Sequence, residues 1–74
     1  MTIDYNQGRY NVFDVNEKLI GRIDEDEFVR QGSNLLYRID GDEVYSLNGV
    51  LLAFIDGGVA KTLDGKKFIS IRAE

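Results

Sequence analysis

The chain has 74 residues, 43% of them hydrophobic, with nine basic against thirteen acidic side chains and a formal net charge of −4. That length holds one domain, 1–74, and the acidic balance excludes the clustered positive field that nonspecific nucleic-acid binding needs. With no cysteine and no histidine, disulfides, thiolate metal sites and histidine-served nucleophiles are excluded too.

The chain opens on a tail, 1–8. Met1-Thr2-Ile3-Asp4-Tyr5-Asn6 has neither a basic n-region nor an apolar h-region. No segment nears the roughly 18 apolar residues of a membrane helix, so the chain reads as soluble and cytoplasmic, without a membrane partner. Ile3 and Tyr5 are expected to pair with the last strand and latch a closed sheet.

From residue 9 the sequence repeats every sixteen residues. The rows are 9–24, 25–40, 41–56 and 57–72, and Ile23, Ile39, Ile55 and Ile71 form one column. A unit this short cannot bury its apolar face alone, so the rows must pack on one another. Each row splits into two octads: Val15, Ile23, Ile39, Leu47, Ile55, Leu63 and Ile71 are spaced by eights, and only Gln31 breaks the series. Asp40-Gly41, Asn48-Gly49, Asp56-Gly57 and Asp64-Gly65 follow at one phase. Those dipeptides tolerate the positive φ of two-residue type I′ turns, so an octad reads as about six residues of strand and two of turn. Helix fails as an alternative, because each glycine inside one would cost about 1 kcal/mol. The expected fold is all-β: an antiparallel meander of four hairpin repeats arranged around a pseudo-four-fold axis, its edges hidden by closure.

Tracing faces through two-residue turns puts Leu19, Gly21, Ile23, Leu35, Tyr37, Ile39, Leu51, Ala53, Ile55, Ile69 and Ile71 on one face. Val12, Phe28, Val44 and Ala60 join them, and this is the expected core. The second face is not clean, since it carries Phe13, Val15, Ile20, Val29, Leu36, Tyr45, Leu47, Val50, Leu52, Phe54, Leu63 and Phe68. Half-buried antiparallel sheets alternate apolar and polar, so either twisting covers both faces or another molecule covers the second.

The stretch Val44-Tyr45-Ser46-Leu47-Asn48-Gly49-Val50-Leu51-Leu52-Ala53-Phe54-Ile55-Asp56-Gly57 resembles the 4-fold beta flower family, small bacterial proteins of four pseudo-repeated β-hairpins. The resemblance extends over residues 9–72. Rows one and two depart from it, with Asn16-Glu17 and Gly32-Ser33 in place of the Asx-Gly turn, and longer or less regular tips are expected there. It implies a fold and supplies no catalytic residue.

Candidate chemistry is sparse. The hydroxyls Thr2, Ser33, Ser46, Thr62 and Ser70 lack a base, and Lys61 beside Thr62 points to the opposite face of a strand. Asp40, Asp56 and Asp64 fall at turn positions that cap their own backbone. Asp24-Glu25-Asp26-Glu27 offers hard oxygen ligands without calcium-loop spacing, so no metal and no cofactor is assigned. Gly57-Gly58 links two strands, whereas phosphate loops feed a helix. Arg22 and Arg38 share a column, with Arg30 in phase with Asp14. These arginines form either an anion-binding ring about the axis or ion pairs between neighbouring strands. Among the tyrosines Tyr5, Tyr10, Tyr37 and Tyr45, only Tyr45 lies on the second face, where packing competes with ligand contact.

These features point to a non-enzymatic structural or protein-interaction module that forms a homodimer or docks a protein partner through its apolar second face, with Leu52 and Phe54 in the contact. The alternative is a module binding a small anion, sugar or peptide.

Overall fold

The computed structural model describes residues 5–74. A 3-10 turn over Tyr5–Gln7 leads into eight strands: β1 (Arg9–Phe13), β2 (Leu19–Asp24), β3 (Phe28–Gln31), β4 (Asn34–Asp40), β5 (Glu43–Tyr45), β6 (Leu51–Asp56), β7 (Val59–Thr62) and β8 (Lys67–Ala73). Each strand pairs antiparallel with the next, and β8 returns to β1 through Tyr10↔Ala73, Asn11↔Arg72, Val12↔Ile71 and Phe13↔Ser70. The sheet is a closed barrel, each sixteen-residue row is one hairpin, and four hairpins surround one axis. Among the described residues no helix is long and apolar enough to cross a membrane.

Closure therefore needs no tail strand, which corrects the expected latch. β1 itself occupies the edge of β8. Ile3 lies outside the described residues, and Tyr5 sits in the 3-10 turn, buried in the core cluster with its ring edge-on to Tyr10 at 5.1 Å.

Eight strands leave an interior just wide enough to be filled by side chains. Ile23 pairs with Val29, Ile39 with Val44, Ile55 with Ala60 and Ile71 with Val12, each across the seam between one row and the next. All eight are 7% exposed or less. The inward residue of each second strand then faces its own row's first strand: Gly21 opposite Val12, Tyr37 opposite Val29, Ala53 opposite Val44 and Ile69 opposite Ala60. Fully burying an aliphatic side chain of this size stabilises by about 1.5–3 kcal/mol, so the isoleucine column is the main sequence determinant of the fold.

The untidy second face has a geometric cause. Every hairpin carries a β-bulge just beyond that inward pair: Val12↔Gly21 is followed by Phe13↔Leu19, and the same skip occurs in the other three rows. The skipped residues are Ile20, Leu36, Leu52 and Phe68, sixteen apart. A bulge re-aims the side chain of its extra residue, and Ile20, Leu36 and Phe68 pack against the core, Phe68 edge-on to Tyr37 at 5.3 Å. Leu52 is likewise half-buried. Three residues read as outward, Ile20, Leu36 and Phe68, thus belong to the hairpins' inner packing.

Row two differs. Rows three and four are entered through two residues, Gly41-Asp42 and Gly57-Gly58. Gly58 needs to be glycine twice over, with φ 82° and an added Cβ 2.9 Å from the Ile71 carbonyl oxygen. Row two is entered through Glu25, Asp26 and Glu27, with Glu25 left-handed at φ 58°. The extra residue moves the inward position from Phe28 to Val29, a one-residue slip that exchanges faces. Val29 is fully buried and Phe28 only half-buried, so the expected places of those two residues are exchanged. The row's tip returns the residue, since Gln31 pairs with Asn34 across Gly32-Ser33 alone.

The other three tips share one loop that is not the expected type I′ turn. In 14–18, 46–50 and 62–66 the first residue's N–H donates to the fifth residue's carbonyl, and the fourth donates back to the first. The fourth residues are left-handed: Glu17 at φ 65°, Gly49 at 86° and Gly65 at 87°. This is a type I turn closed by a left-handed residue, a three-residue hairpin loop. The tip of row one is as regular as those of rows three and four, and the tip of row two is shorter rather than longer.

Candidate functional site

A closed meander puts the four hairpin tips at one end of the barrel and the connections between rows at the other. The two ends differ in chemistry. Asp24, Glu25, Asp26, Glu27, Asp40, Asp42, Glu43 and Asp56 occupy the connection end. Arg9 meets Asp24 at 3.2 Å, and Arg38 meets Glu27 at 3.5 Å and Asp40 at 3.9 Å. Arg30 pairs with Asp26. Burial alone would raise the Asp26 pKa, but the Arg30 guanidinium and the Phe28 N–H bring it below the usual value. Among the described residues no three acidic side chains converge as metal ligands. Tyr5 lies near this end, and burial first, then Tyr10, raises its phenol pKa.

On the tip side of its inward pair each seam has one further cross-strand pair, Phe13↔Ser70, Arg22↔Arg30, Arg38↔Tyr45 or Phe54↔Lys61, of which Ser70 alone is buried. Arg38 lies 4.9 Å from the centre of the Tyr45 ring and Arg72 lies 4.5 Å from that of Phe13. The Tyr45 hydroxyl donates to Glu43 at 3.0 Å, which raises its pKa. Arg22, Arg30 and Arg38 are thus on the wall in ion pairs, and the axis where an anion-binding ring was considered is filled by aliphatic side chains. Tyr37 is in the core packing, and Tyr45 is engaged by Arg38 and Glu43. Lys61 stands exposed on the wall while Thr62 bonds within its tip to Asp64 and to the Lys66 carbonyl.

The tip end carries the exposed aliphatics. Val15, Leu47 and Leu63 occupy the same loop position in three rows, 52%, 51% and 66% exposed, and Leu19, Leu35 and Val50 flank them. Asp14, Ser46 and Thr62 fix these loops. The Asp14 carboxylate accepts from the N–H of Asn16 at 2.8 Å and of Lys18 at 3.0 Å, and Ser46 Oγ accepts from the Val50 N–H at 3.1 Å. Glu17 reaches across the closure to Arg72 and, at 3.1 Å, to Lys67. Arg72 first, then Lys67, lowers its carboxyl pKa. The second face expected to mediate contact is therefore dispersed: Leu52 is half-buried on a bulge, Phe54 is on the wall, and the contiguous apolar surface is a rim of loops. The rim had a readable signal. Ser46-Leu47-Asn48-Gly49 fits the type I turn preference for Asp or Ser first and Gly fourth, Asp14 meets its first position and Gly65 its fourth.

A cleft of about 250 Å³ opens at the seam between rows one and two, against Asn11, Ile20, Gly21, Arg22, Arg30 and Gln31. The β2–β3 ladder there has two residue pairs, where β6–β7 and β8–β1 have four each. Gly21 lets the strands approach, since an added Cβ would stand 2.5 Å from the Arg30 carbonyl oxygen. Nothing in the sixteen-residue spacing marked this seam.

Comparison of the chain with family models, with curated proteins and with solved structures returns no match.

Proposed function

We propose that the protein is a structural or protein-interaction module that self-associates as a homodimer, two copies meeting tip end to tip end, and that it acts without catalysis or a cofactor. The observation that carries this reading is the aliphatic rim, where Val15, Leu47 and Leu63 recur at one loop position and are half or more exposed. Rigid side-chain-capped loops hold them there. Contiguous exposed apolar surface of this kind is characteristic of interaction sites. Charge favours the same geometry. The tip loops mix Asp14, Glu17 and Asp64 with Lys18 and Lys66, whereas the connection end gathers eight acids against Arg9, Arg30 and Arg38, a net negative charge that repels a second copy there. A face about 25 Å across supplies about 500 Å² per copy, roughly 1,000 Å² in total and below the range of stable interfaces, so a weak, dissociable dimer is expected. The reading keeps the chain with the 4-fold beta flower proteins on the strength of four hairpins around one axis.

Native mass by light scattering over a concentration series tests it. A monomer–dimer equilibrium is expected, abolished by Leu47→Asp with Leu63→Asp at unchanged circular dichroism. Phe54→Asp on the wall should leave the mass unaltered. A wild-type monomer at every concentration would overturn the proposal.

A further inference from the structure

Three of the four seams place an aromatic ring in their tip-side cross-strand pair, Phe13, Tyr45 or Phe54. The seam between rows one and two instead pairs two arginines, Arg22↔Arg30, and like charges directly opposite are destabilising in a sheet. The next residue along the same line is Asn11, paired with Arg22 on the other side. This is the seam with the shortened ladder, the glycine contact and the cleft. Its lining combines the apolar Leu19 and Ile20 with the Asn11 and Gln31 amides and the two arginines. The residue slip of row two therefore coincides with the cationic pair and the open space. Breaks in an otherwise consistent pattern are where function is expected.

We propose that this cleft binds a small organic carboxylate, its carboxylate between the Arg22 and Arg30 guanidinium groups and its apolar body over Leu19 and Ile20. Each arginine already holds a carboxylate of the chain, Arg22 that of Glu74 at 2.9 Å and Arg30 that of Asp26. The site is thus matched to this group, and arginine binds it as a planar two-pronged donor. Both pairs are substantially exposed, with Arg22 and Glu74 side chains at 52% and 41%. Exposed pairs of this kind are weak, so an incoming carboxylate replaces one without leaving a buried charge. About 250 Å³ is below the usual range for drug-sized ligands, which limits the ligand to roughly the size of benzoate. Arg22 and Arg30 lie on the wall, whereas Leu19 belongs to both the cleft and the tip rim, so the titration is run at a concentration where the protein is monomeric and its failure is distinguishable from that of the tip-to-tip contact.

The test is a titration of the intact ¹⁵N-labelled protein with sodium benzoate, followed by amide shifts, with benzamide as the uncharged control. Saturable shifts confined to Asn11, Gly21, Arg22, Gln31 and Gly32 are expected, with benzamide at least tenfold weaker. Arg22→Gln and Arg30→Gln should each weaken benzoate at least tenfold, while Arg38→Gln leaves it unchanged. Shifts that do not saturate, that extend equally to Arg38 and Arg72, or that benzamide reproduces would overturn the proposal. So would full affinity in a folded Arg22→Gln protein.

Discussion

The seam between rows two and three and the seam between rows one and two come from the same sixteen-residue plan and end differently. At the first, two residues connect the strands, Ile39 meets Val44, and Arg38 stacks on Tyr45. At the second, three residues connect them, Ile23 meets Val29 over a two-pair ladder, and two arginines face each other. Row length is the same in both, because row two returns at its tip the residue it gains at its entrance. A repeat can thus keep its period while moving register from one end of a hairpin to the other, and the wall, where nothing must interdigitate, takes up the difference as a cleft.

Removing the two equivalent isoleucines should separate the seams most strongly. Both are fully buried, and Ile→Ala in a core costs about 2–5 kcal/mol depending on how far the site can relax. Ile39→Ala should fall near about 4 kcal/mol and Ile23→Ala near about 3 kcal/mol, the shorter ladder collapsing more readily, as read from urea midpoints. Gly21→Ala comes next. Its Cβ would meet a backbone carbonyl, so overpacking of about 2 kcal/mol is expected, with amide shifts centred on β2 and β3. A neutral Gly21→Ala would mean that the close approach is absent. Val29→Ala should then cost about 2 kcal/mol and Phe28→Ala under about 1 kcal/mol, whereas the reverse order would restore the unslipped register.

Much of the fold was legible because its signals are strictly periodic. The isoleucine column, the glycines after Asp or Asn and the absence of helix-length runs specify hairpins, their number and the inward pairs of rows one, three and four. Leu19 and Leu35, read as core, are instead 55% and 37% exposed, because the bulge beside each turns them outward. What was not legible depends on turn length. Val15, Leu47 and Leu63 share the octad phase of Ile23, Ile39, Ile55 and Ile71, yet they sit at exposed tips while the isoleucines are enclosed. The octads look alike only if every turn has two residues, and the tips of rows one, three and four and the entrance to row two are longer. Val29 was misplaced for the same reason, because Glu25 adopts a left-handed conformation that composition favours in glycine. Ile20, Leu36 and Phe68 were misassigned because a bulge changes facing without changing period. The cleft was illegible because it depends on all of these together.

The smallest expected effect lies at the tip of row one. Glu17 is left-handed at φ 65°, and Glu17→Gly removes about 1 kcal/mol of backbone strain. It also removes exposed ion pairs, which contribute little. A net change of a few tenths in favour of the variant is expected by thermal melting. The pH response should distinguish the two contributions. Arg72 and Lys67 depress the Glu17 carboxyl below its ordinary value of 4.5, so the unfolded chain binds the proton first as pH falls. That contribution to stability is complete above the ordinary carboxylate range and is lost as pH drops through 4.5 toward the depressed value. Glu17→Gly should lack this part of the acid loss, and an identical acid profile in both proteins would contradict the pairing.

The absence of cysteine allows a direct measurement of how copies meet. Spin labels on Asn48→Cys at a tip and, separately, on Asp42→Cys at the connection end report distances between copies by double electron–electron resonance. Tip-to-tip association predicts short separations for the tip label and about 50 Å for the connection label, twice the barrel's extent of 24 Å along its short dimension. Short distances from Asp42→Cys, or no coupling at either site, would contradict the account.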